Sequence, residues 1–476
     1  MENTASVSAS ASASASASSS LSKTNASISK HSNNPRDTPS RNTRFEPIQL
    51  IGQGGFGCVY YRGFDARGDI LPSQYVTKIA ILEKSQETEI GKIIHEMPGY
   101  EAFFNVVIST EPIDLSVLSS DTQSKCNVIK RYIEKHPDSK PEFQVLKQLY
   151  VPHVTLLDFV KHRGIFMNDA QVQHIGRDTL RDISEVSYSV PKFMNTLINC
   201  YETLLMAVAR MQAEVEVVHY DLKVQNVVLH VYTKNPIILD FGLSFSMRDV
   251  RAVLEDKSLS DMEIILKLKT FFYGFHPDYA PWAIETHIIS YIVSSAHTAA
   301  ANLSALPSVS SSTSTSTADT TADTTADTSA TVVDTSASSS GGRRRKSHSR
   351  GGNSNNNGNE VPMVTTEALS DLITEFIANH EYLREQPESF KRAFFERSMR
   401  IYSKSAVNRP AIQVVRDFIY DDAWKSWEIY SVATLCLDMI QEMYKAYRTS
   451  ETDPYKKQID SFCNALHIAG NYIDSP

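Results

Sequence analysis

The stretch HYDLKVQNVVLHVYTKNPIILDFGLSF, beginning at His219, constrains this chain more than any other. It sets two carboxylates, Asp221 and Asp240, and one amide, Asn226, around two short apolar runs, Val227 to His230 and Ile237 to Leu239. Between the runs, Thr233-Lys234-Asn235-Pro236 has the composition of a turn. The pattern predicts a hairpin with the three polar side chains placed around it. Each residue also has a plain structural use. Asp221 could cap a turn, Asn226 could satisfy loop backbone, and Asp240-Phe241-Gly242 could end a strand.

Two upstream features bear on which use applies. IGQGGFGCVY, from Ile51 to Tyr60, places Gly52, Gly54 and Gly57 in a G-x-G-x-x-G spacing with Val59 after it. Glycine lets backbone approach a phosphate closely and adopt positive φ. A dinucleotide-binding loop shares the spacing but leads from a strand into a helix. Here the glycines lie between two strand-like runs, Phe45 to Leu50 and Cys58 to Phe64, which leaves a glycine-rich hairpin or a simple β-turn. YVTKIAI, Tyr75 to Ile81, then puts Lys78 inside an apolar strand. An inward-facing ammonium needs a carboxylate partner. The helical pattern Glu87 to Met97 supplies Glu87, Glu89 and Glu96; Glu89, followed by Ile90, Ile93 and Ile94, is the expected partner and Glu87 the reserve.

Together these residues resemble the eukaryotic-type protein kinase superfamily. Gly52-x-Gly54-x-x-Gly57-x-Val59 resembles its glycine-rich loop and Val76-Thr77-Lys78 its lysine strand. His219 to Asn226 resembles its catalytic loop and Asp240-Phe241-Gly242 its metal-binding triplet. The resemblance covers roughly residues 45 to 290, and its divergence is similar to that of kinases encoded by large DNA viruses. It implies an α+β, bilobal protein kinase-like fold: a small β-rich N-lobe and a larger helical C-lobe with a long insertion. It implies ATP and Mg2+ as cofactors, with Gly52, Gly54, Gly55, Phe56, Gly57, Val59 and Lys78 around the nucleotide. Asp221 would accept or orient the proton of the substrate hydroxyl, and Lys223 would neutralise the γ-phosphate. Asn226 and Asp240 would bind Mg2+ through hard oxygens. Phe143 to Val160 resembles the strand and hinge between lobes, where backbone groups from Gln148 to Tyr150 would meet adenine. Lysine two positions after the catalytic aspartate is the usual serine/threonine-kinase form, so protein hydroxyls are the expected substrates.

The chain departs from the family in several places. Tyr220 replaces the arginine that usually receives an activation-loop phosphate, so activity independent of phosphorylation at Ser244, Ser246, Ser258, Ser260 and Thr270 is expected. The end of the activation segment is read as Ala280-Pro281-Trp282-Ala283-Ile284-Glu285, with His276-Pro277-Asp278 as competitor. Ser426 to Ile440 resembles the central helix of the large lobe, and Glu428 stands where an aspartate normally braces the catalytic loop. No arginine-containing end motif is evident in the last thirty residues. Two rival functions follow: a kinase-fold enzyme acting on a small hydroxylated molecule, against which Lys223 argues, and a non-catalytic pseudokinase scaffold.

Composition sets the boundaries. Residues 1–43 are rich in Ser and Ala, and residues 296–360 hold Ser/Thr tracts, tandem Thr-Ala-Asp-Thr and GGRRRK. Neither has the apolar content to offset its ordering entropy, so both are expected to be disordered. Between and after them lie an N-lobe (44–150), a first C-lobe part (151–295) and a helical remainder (361–476). The net charge of -8 gives no electrostatic case for direct nucleic-acid binding. No apolar run reaches membrane-span length and the N-terminus lacks a signal-peptide pattern. Five scattered cysteines without a CxxC pair argue against a disulfide framework or zinc site and for a reducing compartment. The expectation is an intracellular, cytoplasmic protein. Arg343 to Lys346 reads either as a nuclear localisation patch beside a phosphorylatable Ser347 or as a solvated charge cluster.

Overall fold

The computed structural model describes residues 48–54, 57–81, 86–136, 142–162, 190–272, 274–304 and 363–447. Gly55, Phe56, Ser347, the basic cluster 343–346 and the tail 1–43 lie outside them.

The first part is a five-stranded sheet. Its strands are β1 (Gln49–Gln53), β2 (Gly57–Tyr61), β3 (Tyr75–Ile81), β4 (Ser109–Ile113) and β5 (Phe143–Leu149), in the order β1-β2-β3-β5-β4. All pairings are antiparallel. The central strand β3 is buried along nearly its whole length, as its apolar, β-branched sequence requires. Ile79 and Ile81 face a core with Cys58, Tyr60, Phe143 and Val145, closed by Val128 and Ile129 of α3 (Asn127–Lys135), which follows the short α2 (Ser120–Lys125). Lys78 belongs to the opposite parity, beside α1 (Glu87–His95). Acidic residues open α1 and basic ones close it, which suits the helix dipole.

The hairpin expected after Asn226 is present. β8 (Val227–His230) pairs with β9 (Pro236–Ile238), and β6 (His153–Thr155) adds a third strand. A two-stranded ladder joins β7 (Val217–Val218) to β10 (Phe245–Ser246). These pairings hold the loop 219–226 against the loop 239–244. The rest is helical: α4 (Leu156–Lys161), α5 (Val190–Arg210), α6 (Met247–Glu255), α7 (Asp261–Leu268), α8 (Ile284–Ser304), α9 (Thr366–Asn379), α10 (Glu388–Ala406), α11 (Ala411–Tyr420) and α12 (Trp427–Tyr447). The architecture is therefore α+β, with a small antiparallel sheet region first and a helical region after it. One core joins α1, α4, α5, α12 and the β8–β9 hairpin; a second joins α6 to α11 with Tyr220, Phe245 and Trp282.

The described part of the remainder expected to be helical, residues 363–447, carries α9 to α12. α8 runs to Ser304, into the segment expected to be low in complexity. β4, α2, α3, α6 and α7 had no counterpart in the sequence reading. Cysteine chemistry also differs from expectation: Cys58 of β2 and Cys126, at the α2–α3 junction, form a disulfide across a sequence separation of 68. Partners that distant leave no spacing signature, because only the fold brings them together. The pairing removes the cysteine-based argument for a reducing compartment. Cys58 is therefore not a free thiol. Among the described residues, no helix is long and apolar enough to cross a membrane.

Candidate functional site

Lys78 is where the distant parts of the chain meet. Its neighbours across the sheet are Val59 on β2 and Leu146 on β5. Its ammonium donates to Glu87 Oε2 at 2.8 Å and to Asp240 Oδ1 at 2.6 Å. Burial alone would strip the Lys78 proton, but the charges of Glu87 and Asp240 outweigh it and hold the ammonium above lysine's ordinary range. Two carboxylates share this one cation. Burial pushes the Glu87 carboxyl upward against the pull of Lys78. For Asp240 burial also opposes ionisation, but the adjoining Lys78 wins and holds the carboxyl below its usual range.

Glu89, the expected partner, does not reach Lys78. Helical periodicity explains why: Glu87, Ile90, Gly91 and Ile94 share the buried face, following the i, i+3, i+4, i+7 pattern. Glu89 falls on the outer face and pairs with Lys92 at 2.7 Å, with 71% of its side chain exposed. The reserve candidate, Glu87, takes the place. Gln148 supports it by donating from Nε2 to Glu87 Oε1 at 3.2 Å. Register makes this legible, since Gln148 lies opposite Val76 and so shares the Lys78 face.

The second cluster is built on the loop after β7. Asn226 Nδ2 donates to the Asp221 carbonyl at 2.8 Å and to Asp221 Oδ2 at 3.0 Å. Lys223 Nζ lies 3.0 Å from Oδ2 and 2.8 Å from Oδ1 of the same carboxylate. Tyr279 O–H donates to Asp221 Oδ1. Leu239 N–H donates to the Asn226 carbonyl at 2.8 Å, which ties this cluster to the residue preceding Asp240. His219 Nε2–H donates to the Leu239 carbonyl at 3.0 Å, and its Nδ1 accepts the Asp221 N–H at 3.3 Å. Phe241 packs edge-on to His219 at 4.8 Å and to Phe104 at 6.0 Å. Asp240 takes a left-handed backbone, φ 63°, which turns its carboxylate to Lys78 while Phe241 stays in the core. A Cβ at Gly242 would lie 3.2 Å from Asp240 Oδ1, so a larger residue there would crowd the carboxylate.

Glu428, near the start of α12, reaches the same loop. Its Oε1 accepts the Tyr220 N–H at 2.9 Å. Glu428 is 1% exposed, and burial pushes its carboxyl up to about 7 although the Tyr220 N–H favours the charged form. Tyr220 itself is left-handed, φ 64°, with its ring stacked on Trp282 at 4.6 Å. Trp282 Nε1–H donates to the Tyr220 carbonyl at 2.7 Å. Glu285, the expected end of the segment, accepts from the Tyr402 hydroxyl.

Other expectations change in detail. The Tyr150 N–H is committed to the Gln74 carbonyl at 2.8 Å and is not available to a ligand. Gln148 contributes its side chain to the ion pair, where a backbone contact was expected. Gly52, Gly54 and Gly57 do not use positive φ. Gly57 is glycine because a Cβ would meet the Ile79 carbonyl at 2.2 Å, whereas Gly54 has nothing within 4 Å. Ser246 and Ser260, read as segment hydroxyls, cap α6 and α7. Tyr279 was not anticipated, and nothing in its local sequence marks it.

Chemically, the two clusters combine a buried ammonium, a half-open carboxylate at Asp240 and a shielded one at Asp221. Both side-chain hydrogen bonds of Asn226 run from Nδ2, which leaves its Oδ1 as an acceptor. Asp240 has a second oxygen beyond the one that Lys78 holds. These are hard oxygen donors of the kind Mg2+ takes. Among the described residues no group of three or more His, Cys, Asp or Glu could hold a metal by itself. A cation held by Asp240 and Asn226 would need further oxygens from elsewhere. Compared with family models and with curated proteins, the chain matches none.

Proposed function

We propose that this chain is an ATP- and Mg2+-dependent protein serine/threonine kinase with a bilobal kinase-like fold. The observation that carries the reading is the contact of Lys78 with Asp240, 162 residues away, with Glu87 on the same ammonium. It joins the glycine hairpin, through Val59 and β3, to the Asp240-Phe241-Gly242 loop. The Asp221–Lys223–Asn226 cluster and the Glu428 contact to the loop backbone support the same reading.

In this reading Lys78 holds the nucleotide phosphates, with Glu87 and Gln148 keeping the ammonium in place. Asp240 and Asn226 offer oxygens to the metal. When bound, Mg2+-ATP supplies the γ-phosphoryl group and the metal neutralises its charge. Asp221 takes or orients the proton of the acceptor hydroxyl, while Lys223 places positive charge beside the transferring group. His219 and Glu428 hold the loop backbone that aims Asp221.

The test is transfer of 32P from γ-labelled ATP to dephosphorylated casein or to the protein itself, with and without Mg2+. Transfer that requires Mg2+ and falls at least about 100-fold in Asp221→Ala is expected. Transfer unaffected by Asp221→Ala, or no ATP turnover by the purified chain, would overturn the reading. A casein-inactive protein that phosphorylates small hydroxylated compounds would favour the small-molecule alternative.

A further inference from the structure

We infer that Tyr279 occupies the acceptor-hydroxyl subsite of the resting protein, so that a substrate must displace its phenol before Asp221 can receive a proton. This rests on the kinase reading above and concerns regulation of the same site.

The geometry of Asp221 carries it. Asn226 Nδ2 donates to Oδ2 at 3.0 Å, and Lys223 Nζ lies across the carboxylate, 3.0 Å from Oδ2 and 2.8 Å from Oδ1. The loop backbone is fixed independently, because His219 Nδ1 accepts the Asp221 N–H and Asn226 Nδ2 donates to the Asp221 carbonyl. The carboxylate is thus oriented without help from Tyr279. What Tyr279 adds is a hydroxyl on Oδ1, the oxygen that Asn226 does not hold and that Lys223 Nζ also meets at 2.8 Å. The phenol oxygen also lies 3.4 Å from Lys223 Nζ, between the proton acceptor and the ammonium that would meet the γ-phosphate. Asp221 is 5% exposed as a result of this packing, which leaves little room for a second hydroxyl.

The segment that carries Tyr279 is built to hold it there and to let it go. On its C-terminal side, Trp282 Nε1–H is bonded to the Tyr220 carbonyl, and Ser431 Oγ–H donates to the Pro281 carbonyl at 2.7 Å. On its N-terminal side, His276 and Asp278 are exposed. The Tyr279 ring rests edge-on against Trp282 at 4.8 Å and is itself half-buried. Displacing the phenol breaks its hydrogen bond to the Asp221 carboxylate, its 3.4 Å contact with Lys223 Nζ and its edge contact with Trp282, and leaves the anchored residues where they are.

The experiment compares wild type, Tyr279→Phe and Tyr279→Leu in steady-state transfer from γ-labelled Mg2+-ATP to dephosphorylated casein, with ATP hydrolysis measured separately. Losing a charge-assisted hydrogen bond that competes with substrate should raise kcat/KM for casein about tenfold in Tyr279→Phe. KM for ATP should stay within about twofold. Tyr279→Leu, which keeps apolar bulk but no hydroxyl, should move the same way and guards against misfolding of one variant. If both variants fold, as judged by circular dichroism, and kcat/KM is unchanged or lower while wild type is active, Tyr279 is inert or a positioning group and the inference is overturned. If no form turns over ATP, the kinase reading falls and this inference falls with it.

Discussion

The Tyr220 N–H donates to Glu428 Oε1, a bond between residues 208 positions apart that ties the start of α12 to the Asp221 loop. Removing the acceptor in Glu428→Ala orphans a buried N–H, which costs about 1–3 kcal/mol, and it frees a backbone held at positive φ. Glu428→Gln keeps a carbonyl oxygen for that N–H and should retain most of any transferase activity, while Glu428→Ala should lose at least about tenfold. The pH dependence follows from the raised carboxyl, near 7 in the fold against about 4.5 when unfolded. Below pH 4.5 the group is neutral in both states and has no effect. As pH rises from 4.5 to 7 the unfolded chain ionises first, so wild type loses stability relative to Glu428→Gln, by about 3 kcal/mol at most. Above 7 the difference is flat. Thermal melts of both proteins across pH 4 to 8 check the sign and the window.

The Lys78–Glu87 pair separates two glutamates that look alike in sequence. Glu87→Ala leaves a buried ammonium with only Asp240, and breaking such a pair costs about 3–5 kcal/mol. Glu89→Ala removes one exposed pair and should change stability by less than about 0.5 kcal/mol. Chemical denaturation of the two variants measures the contrast. Equal effects would mean that Glu87 is not the partner.

Most of the frame was readable because short patterns carry it. The β8–β9 hairpin, the Lys78 strand and the helix that opens at Glu87 obey two-residue or 3.6-residue periods, so their existence follows from local sequence. What was missed depends on contacts between distant segments. Choosing between Glu87 and Glu89 needed the helix face, which the buried Ile90 and Ile94 define once Gly91 is placed with them. Ile93 also packs against that core, so the apolar residues that follow do not by themselves tell the two glutamates apart. Tyr279 and Cys126 meet Asp221 and Cys58 only through the tertiary fold, and neither sits in a recognisable motif. Tyr150 failed for another reason: the direction of a backbone N–H is invisible in side-chain chemistry.

The glycine hairpin gives a contrast between packing and ligand approach. Gly57→Ala places a Cβ against the Ile79 carbonyl at 2.2 Å, so β2 must shift from β3, at a cost of about 1–3 kcal/mol. Gly54→Ala meets nothing within 4 Å and should leave the melting temperature almost unchanged. Under the proposed kinase reading, an effect of Gly54→Ala should appear in the KM for ATP, because a nucleotide under the hairpin would meet the added methyl. Melting curves and ATP titrations on the two variants read the two effects separately.

The Cys58–Cys126 bridge closes a chain segment that contains β3, α1, β4 and α2. Cross-linking a segment of this length restricts the unfolded ensemble, and losing the bridge removes about 2–5 kcal/mol of stability. Both cysteines are fully buried in the core that backs the sheet, so the double replacement Cys58→Ala and Cys126→Ala also loses some packing there. The wild type should melt at a higher temperature without dithiothreitol than with it, whereas the double variant should not respond to the reductant. Non-reducing peptide mapping should recover the two cysteines in one linked fragment. Cys58 neighbours Val59, which lies across from Lys78, so under the proposed kinase reading the reduced protein should also bind ATP more weakly. A melting temperature insensitive to reductant, with the linked fragment absent from the map, would show that the two sulfurs are not bonded.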